Sequence, residues 1–123
     1  NKEVTELINV IVNALKILKP GGKILVISFH SIEDKIVKYF FSNYSANRSK
    51  SSRYFPDNQD DSTSLFEDYK NIILKPSIKE ITQNSPSRSA KLRYAIRNDN
   101  KFIFPDELLA KFKKYLELEN SYV

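Results

Sequence analysis

Leu18-Lys19-Pro20-Gly21-Gly22-Lys23-Ile24-Leu25-Val26-Ile27-Ser28-Phe29-His30-Ser31-Ile32-Glu33-Asp34 reads as helix end, tight turn, strand, polar bend and new helix. Pro20 cannot continue a helix, and Gly21 and Gly22, the only glycines in the sequence, let the backbone reverse. Ile24 to Ile27 is an unbroken aliphatic run, the pattern of a strand covered on both faces in a parallel sheet. Ser31 and Asp34 fit a Ser-x-x-Asp capping box for the next helix. Ligands of open parallel sheets bind beyond the carboxyl ends of the strands. That rule places Ser28, His30 and Ser31 at the functional edge.

Working outward, residues 2–18 carry Val4, Leu7, Ile8, Ile11, Leu15 and Leu18 at helical spacing, with Asn1 able to cap them. After the strand at 23–29, a second amphipathic helix is expected from Ile32 to about Ser42, built on Ile36, Val37, Phe40 and Phe41. Residues 42–66 turn serine-rich, with a basic cluster (Arg48, Lys50, Arg53) and then an acidic one (Asp57, Asp60, Asp61). They read as a long low-complexity insertion whose basic cluster could touch RNA phosphates or simply face water. Tyr69 to Lys75 reads as a strand ended by Pro76, and Ser77 to Glu80 as a capping box opening a short helix through about Asn84. Ser85-Pro86 stops that helix.

In Lys91 to Arg97, Leu92, Tyr94 and Ile96 alternate with Lys91, Arg93, Ala95 and Arg97, a period-two strand with one apolar face. A turn at Asn98 to Asn100 follows. Pro105-Asp106-Glu107 then opens a last amphipathic helix ending near Glu119. The order is that of an α/β fold, with residues 1–97 as its main unit and 98–123 as a helical extension.

The bulk numbers narrow the field. A chain of 123 residues fits one domain or part of one. The net charge of +5 suits an anionic partner such as nucleic acid, or a soluble surface. With no cysteine and one histidine, disulfides and cysteine- or histidine-rich metal sites are excluded, and no metal is expected. No apolar run reaches the length of a membrane span and no secretory signal is evident, so the expected compartment is the cytoplasm. The sequence lacks methionine and opens directly in a helical pattern, as expected for a piece of a longer protein.

Pro20-Gly21-Gly22 is not a phosphate loop, because it follows a helix and opens a strand, the reverse of that motif. Ser28, His30 and Ser31 suggest a nucleophile with a base, yet a serine hydrolase also needs an orienting carboxylate and an oxyanion hole, which nothing here specifies. Their place at the sheet edge favours contact with substrate instead. Arg88, Lys91, Arg93, Arg97 and Lys101, with the hydroxyls of Ser85, Ser87 and Ser89, suit phosphate contacts that position a nucleic acid without reading it; the other reading is a solvated strand face. Glu33 and Asp34 read as helix-start residues.

Two stretches resemble the bacterial ribosomal RNA small-subunit methyltransferase H (MraW-like) family: Pro20 to Lys38, with Ser28-Phe29-His30-Ser31-Ile32-Glu33-Asp34 at its centre, and Asn84-Ser85-Pro86-Ser87-Arg88-Ser89-Ala90-Lys91-Leu92-Arg93. Asn1-Lys2-Glu3 with Leu7 resembles the end of that family's Val-Asn-x-Glu-Leu segment. The resemblance covers residues 1–97, roughly the last third of a family member. It implies the end of a Rossmann-like seven-stranded methyltransferase sheet, with Lys23–Phe29, Tyr69–Lys75 and Lys91–Arg97 as its last three strands and the final one antiparallel between its neighbours. It implies transfer of a methyl group from S-adenosylmethionine to a cytidine exocyclic amine in 16S rRNA. The family's Gly-Gly-His loop and the acidic residues after it have no counterpart here, so the cofactor site is expected upstream and the piece alone is expected to be inactive.

On that reading Ser28, His30 and Ser31 are substrate-binding candidates, and Arg88, Ser89, Lys91 and Arg93 are RNA-phosphate candidates. No residue is assigned as catalytic. The expected partners are the small ribosomal subunit and the missing N-terminal part of the same protein. The competing class is a non-enzymatic basic RNA-binding module.

Overall fold

The computed structural model describes residues 2–50, 63–84 and 89–121. The elements are α1 (Glu3–Ile17), β1 (Lys23–Ser28), α2 (Ser31–Asn43), α3 (Ala46–Lys50), α4 (Ile78–Gln83), β2 (Lys91–Ile96), α5 (Asp106–Lys111) and α6 (Lys113–Asn120). The fold is mixed α/β around a two-stranded antiparallel sheet.

The turn after α1 forms as its residues require. Gly21 adopts φ +83°, a region costly for any residue with a Cβ, and its amide donates to the Arg97 carbonyl at 2.8 Å. Gly22 is pressed against Leu18 and Lys19, so an added Cβ would lie 2.7 Å from Leu18 Cδ1. The turn therefore locks the start of β1 against the end of β2, and the register runs from Lys23 opposite Ile96 to Ser28 opposite Lys91.

Helices cover one face of this sheet. Ile24 and Ala95 enter a core with Val4, Ile8, Ile11 and Leu15 of α1, Ile36, Val37, Phe40 and Phe41 of α2, and Leu108 and Phe112. The opposite face is open: Leu25 and Ile27 are each 59% exposed. The strand expected to be parallel and covered on both sides is seen among the described residues in an antiparallel pair with one side covered. The aliphatic run is a strand, but it pairs antiparallel and its second apolar side has no cover among the described residues. The alternation in β2 is also as read, with its sides exchanged. Arg93, Ala95 and Arg97 point into the helical layer, and Leu92, Tyr94 and Ile96 lie on the more exposed side.

The stretch Tyr69–Lys75 does not form a strand. It meets β2 only at an antiparallel bridge between Leu74 and Leu92, whose amides and carbonyls exchange two bonds of 3.0 Å. Its earlier residues are diverted: the Ile72 amide turns back to the Lys70 carbonyl, and Tyr69 and Asn71 give their side chains to Arg93. β2 still lies between β1 and this segment, in the expected order.

The proposed insertion narrows. α2 continues to Asn43, α3 follows, and Leu65 and Phe66 are fully buried, with Phe66 edge-on to Phe40 and Phe41. Of the basic cluster, Arg48 pairs with Glu107 at 3.4 Å; Arg53 and the acidic cluster lie outside the described residues. The expected last helix is broken into α5 and α6 at the buried Phe112, whose backbone stands at φ −108°, ψ 21°. The helix cap at 31–34 also shifts by one residue: His30 is the N-cap and Glu33 reaches back to it. Ser77 caps α4 as read, its Oγ accepting the Glu80 amide at 3.2 Å. Ser85 and Pro86 lie outside the described residues.

Candidate functional site

The antiparallel pairing brings the two motif stretches to one edge. β1 ends at Ser28, opposite Lys91, which starts β2, so Ser89 and Lys91 arrive beside the Ser28–Ser31 bend. α2 begins in that bend.

At the edge the candidates differ in access. His30 and Ser31 are exposed. Ser28 is 4% exposed and faces the helical layer. The Glu33 carboxylate accepts the amides of Phe29 and His30 at 3.3 and 3.2 Å, which fixes the bend by its backbone. Ile27, Phe29, Leu74, Pro76, Ala90 and Leu92 line a mostly apolar groove of about 370 Å³ on the open face.

Arg93 is not at the surface. It is 2% exposed, with Nε on Asp34 Oδ1 at 2.7 Å and Nη2 on Asp34 Oδ2 at 3.0 Å. The fork of this RNA-phosphate candidate is taken up by a buried carboxylate. Hydrogen bonding from Arg93 holds the Asp34 carboxyl below its ordinary value against the opposing effect of burial, and Asp34 in turn raises the Arg93 guanidinium. Lys91 stands more loosely, with Nζ 3.8 Å from Asp34 Oδ2 and over a third of its side chain exposed. Arg97 is buried at the far end of the sheet, bonded to the carbonyls of Leu65, Asn98 and Asn100. Ser89 is exposed, Lys101 is exposed at the other end, and Arg88 lies outside the described residues.

The Asp34–Arg93 pair is the feature that sequence reasoning missed. No signal in the alternation gave it, because the larger apolar residues of β2 stand on the side away from the helices. Among the described residues no cluster of groups could hold a metal ion, and no helix is long and apolar enough to cross a membrane.

The Ser28–Ser31 bend and the Ser89–Lys91 stretch lie at one end of the two-stranded sheet. The MraW methylase family model matches residues 1–98, and the chain belongs to that family. Its relatives include proteins called ribosomal RNA small subunit methyltransferase H. That of Bartonella quintana is 39% identical over 121 residues, which are 98% of this chain and 36% of the relative. That of Bartonella henselae is 38% identical over 121 residues (98% and 34%), and that of Methylorubrum extorquens strain PA1 40% over 99 residues (80% and 28%). The chain thus spans about a third of the length of the curated relatives it matches.

Proposed function

We propose that this chain is the acceptor-side, carboxyl-terminal part of a cytoplasmic enzyme that methylates the exocyclic amine of a cytidine in 16S rRNA, with S-adenosylmethionine as donor. The carrying observation is that the end of β1 meets the start of β2, with Ser28 opposite Lys91 and His30 exposed in the bend that follows. The open apolar face and the second edge of β1, unpaired among the described residues, suit a strand within a larger seven-stranded sheet.

The chain's own residues do not suit a donor site. Gly21 and Gly22 stand between a helix and a strand, and both are spent on the turn. No step through the donor is assigned to them. The chain contributes to the acceptor side. A cytidine amine is a poor nucleophile, since its lone pair is shared with the ring, so holding it in line and removing its proton are the main tasks. A paired base must first leave its stack. His30 and Ser31 would meet that base, while Lys91 and Ser89 hold a neighbouring phosphate. Ser28, being buried, supports the bend from beneath.

Two measurements test this. In the full-length protein His30→Ala is expected to cut methylation of small-subunit RNA by about 10²-fold or more, with the fold unchanged, as for loss of a positioned polar group; unchanged methylation removes His30 from the site. Calorimetry of this chain alone with S-adenosylmethionine is expected to show no heat of binding. Binding of the donor here would overturn the division of labour. Retained RNA affinity in a full-length protein that neither binds the donor nor methylates would favour the non-enzymatic RNA-binding module.

A further inference from the structure

The His30 bend has little packing of its own. It is exposed, and Glu33 holds its amides. Asp34 follows Glu33 in the first turn of α2 and is fixed by the bidentate fork of Arg93. The remaining nitrogen of that fork, Nη1, donates to Tyr69 Oη at 3.1 Å and to Asn71 Oδ1 at 2.7 Å. One planar guanidinium therefore joins three separate pieces of chain: the middle of β2, the first turn of α2 and residues 69–71.

We propose that Arg93 is a positioning residue for the candidate site: through Asp34 it holds the first turn of α2, and so Glu33 and the His30 bend, over the end of β1. The functional meaning of this rests on the acceptor-site reading of His30; the mechanical part does not. Lysine cannot replace the fork. A single ammonium can meet Asp34, but it lacks the planar set of donors that also reaches Tyr69 and Asn71. Removing the guanidinium altogether leaves the buried carboxylate with only the looser Lys91 ion pair at 3.8 Å, too long for a hydrogen bond.

A purely stabilising pair would affect the whole chain alike, whereas a positioning pair acts locally. The test is amide hydrogen exchange in this chain, read at Phe29 and His30 and compared with Ile11 and Val12 in the core of α1. The single histidine of the sequence adds an unambiguous imidazole proton resonance. In Arg93→Lys the exchange at 29 and 30 is expected to rise about tenfold more than at 11 and 12, with a broadened imidazole line. A rise shared equally by both sets, with the imidazole line unchanged, overturns the proposal.

Should Arg93→Lys fail to fold, Asp34→Asn keeps the bonds to Tyr69 and Asn71 while weakening the one to α2. There the 29–30 amides are expected to loosen and that of Ile72, bonded to the Lys70 carbonyl, to keep its protection; equal loosening overturns the proposal. Neither readout depends on RNA or donor. An inactive His30→Ala enzyme with unaltered exchange in the Arg93 variant refutes the positioning role alone, and the converse pair of results refutes the acceptor reading alone.

Discussion

Arg93 and Arg97 sit on the same side of one strand and are neutralised in different ways. Arg93 meets a carboxylate 59 residues away, whereas Arg97 is surrounded by carbonyl oxygens and its Nε has no partner. Burial lowers the Arg97 guanidinium, while Asp34 raises that of Arg93. Asp34 carries a pH dependence. Its folded-state pKa is depressed below the ordinary value of 3.8, so the native state binds the proton more weakly than the unfolded chain. The stabilisation is complete above the ordinary value and is lost as pH falls through the depressed one. Asp34→Asn is expected to lower the thermal midpoint at pH 7 and to flatten the drop between neutral and strongly acid pH; an unaltered acid profile refutes the assignment. At Gly21 the left-handed backbone predicts a loss of about 1 kcal/mol for Gly21→Ala, read by urea denaturation, although nothing crowds the position. This residue was legible in the sequence, because a turn between helix and strand needs such a backbone. The side on which Arg93 falls was not. Alternation reveals two faces of a strand without saying which one the helices cover.

Among the elements, α1, β1, α2 and β2 appear within about two residues of their expected bounds, since each is announced by a strong period or a breaker. The segment at Tyr69–Lys75 has strand composition but meets the ladder of β2 at one bridge, Leu74 to Leu92, while Tyr69 and Asn71 bond to Arg93. The start of α1 depends on the far end of the chain. Glu119 in α6 accepts the amides of Val4 and Thr5 at 2.9 and 2.8 Å and the Thr5 hydroxyl at 2.7 Å. Burial opposes its ionisation, but these hydrogen bonds prevail and lower its pKa. Negative charge at a helix start is favourable in any case. Glu119→Ala is expected to cost up to about 1 kcal/mol, as for a lost N-cap, and to raise amide exchange at Val4 and Thr5 first. Equal exchange at both positions would show that the cap does nothing.

For the whole molecule, the helical layer forms one core that includes the stretch read as an insertion and the stretch read as an extension. Leu65, Phe66 and Leu108 are all fully buried in it. The insertion's part was not legible, because two or three apolar residues among serines give no period, whereas the extension's amphipathic helix was read without its place in the core. Leu108→Ala is expected to destabilise the chain by about 2–5 kcal/mol, the range for large-to-small changes in a full core, measured by chemical denaturation. The open side of the sheet makes the opposite prediction. Leu25→Lys with Ile27→Lys should leave the circular dichroism of this chain intact and reduce its binding of a hydrophobic dye and its self-association. Unfolding by that pair of changes would mean the face is internal.

The bond from Glu119 to Val4 spans 115 positions along the chain. Closing so large a loop has a high entropic cost before the tie offers any return, so it forms late in folding, after the sheet and α2 have drawn the ends together. Weakening it should hasten unfolding and leave the refolding rate nearly unchanged, which makes the last helix the gatekeeper of kinetic lifetime.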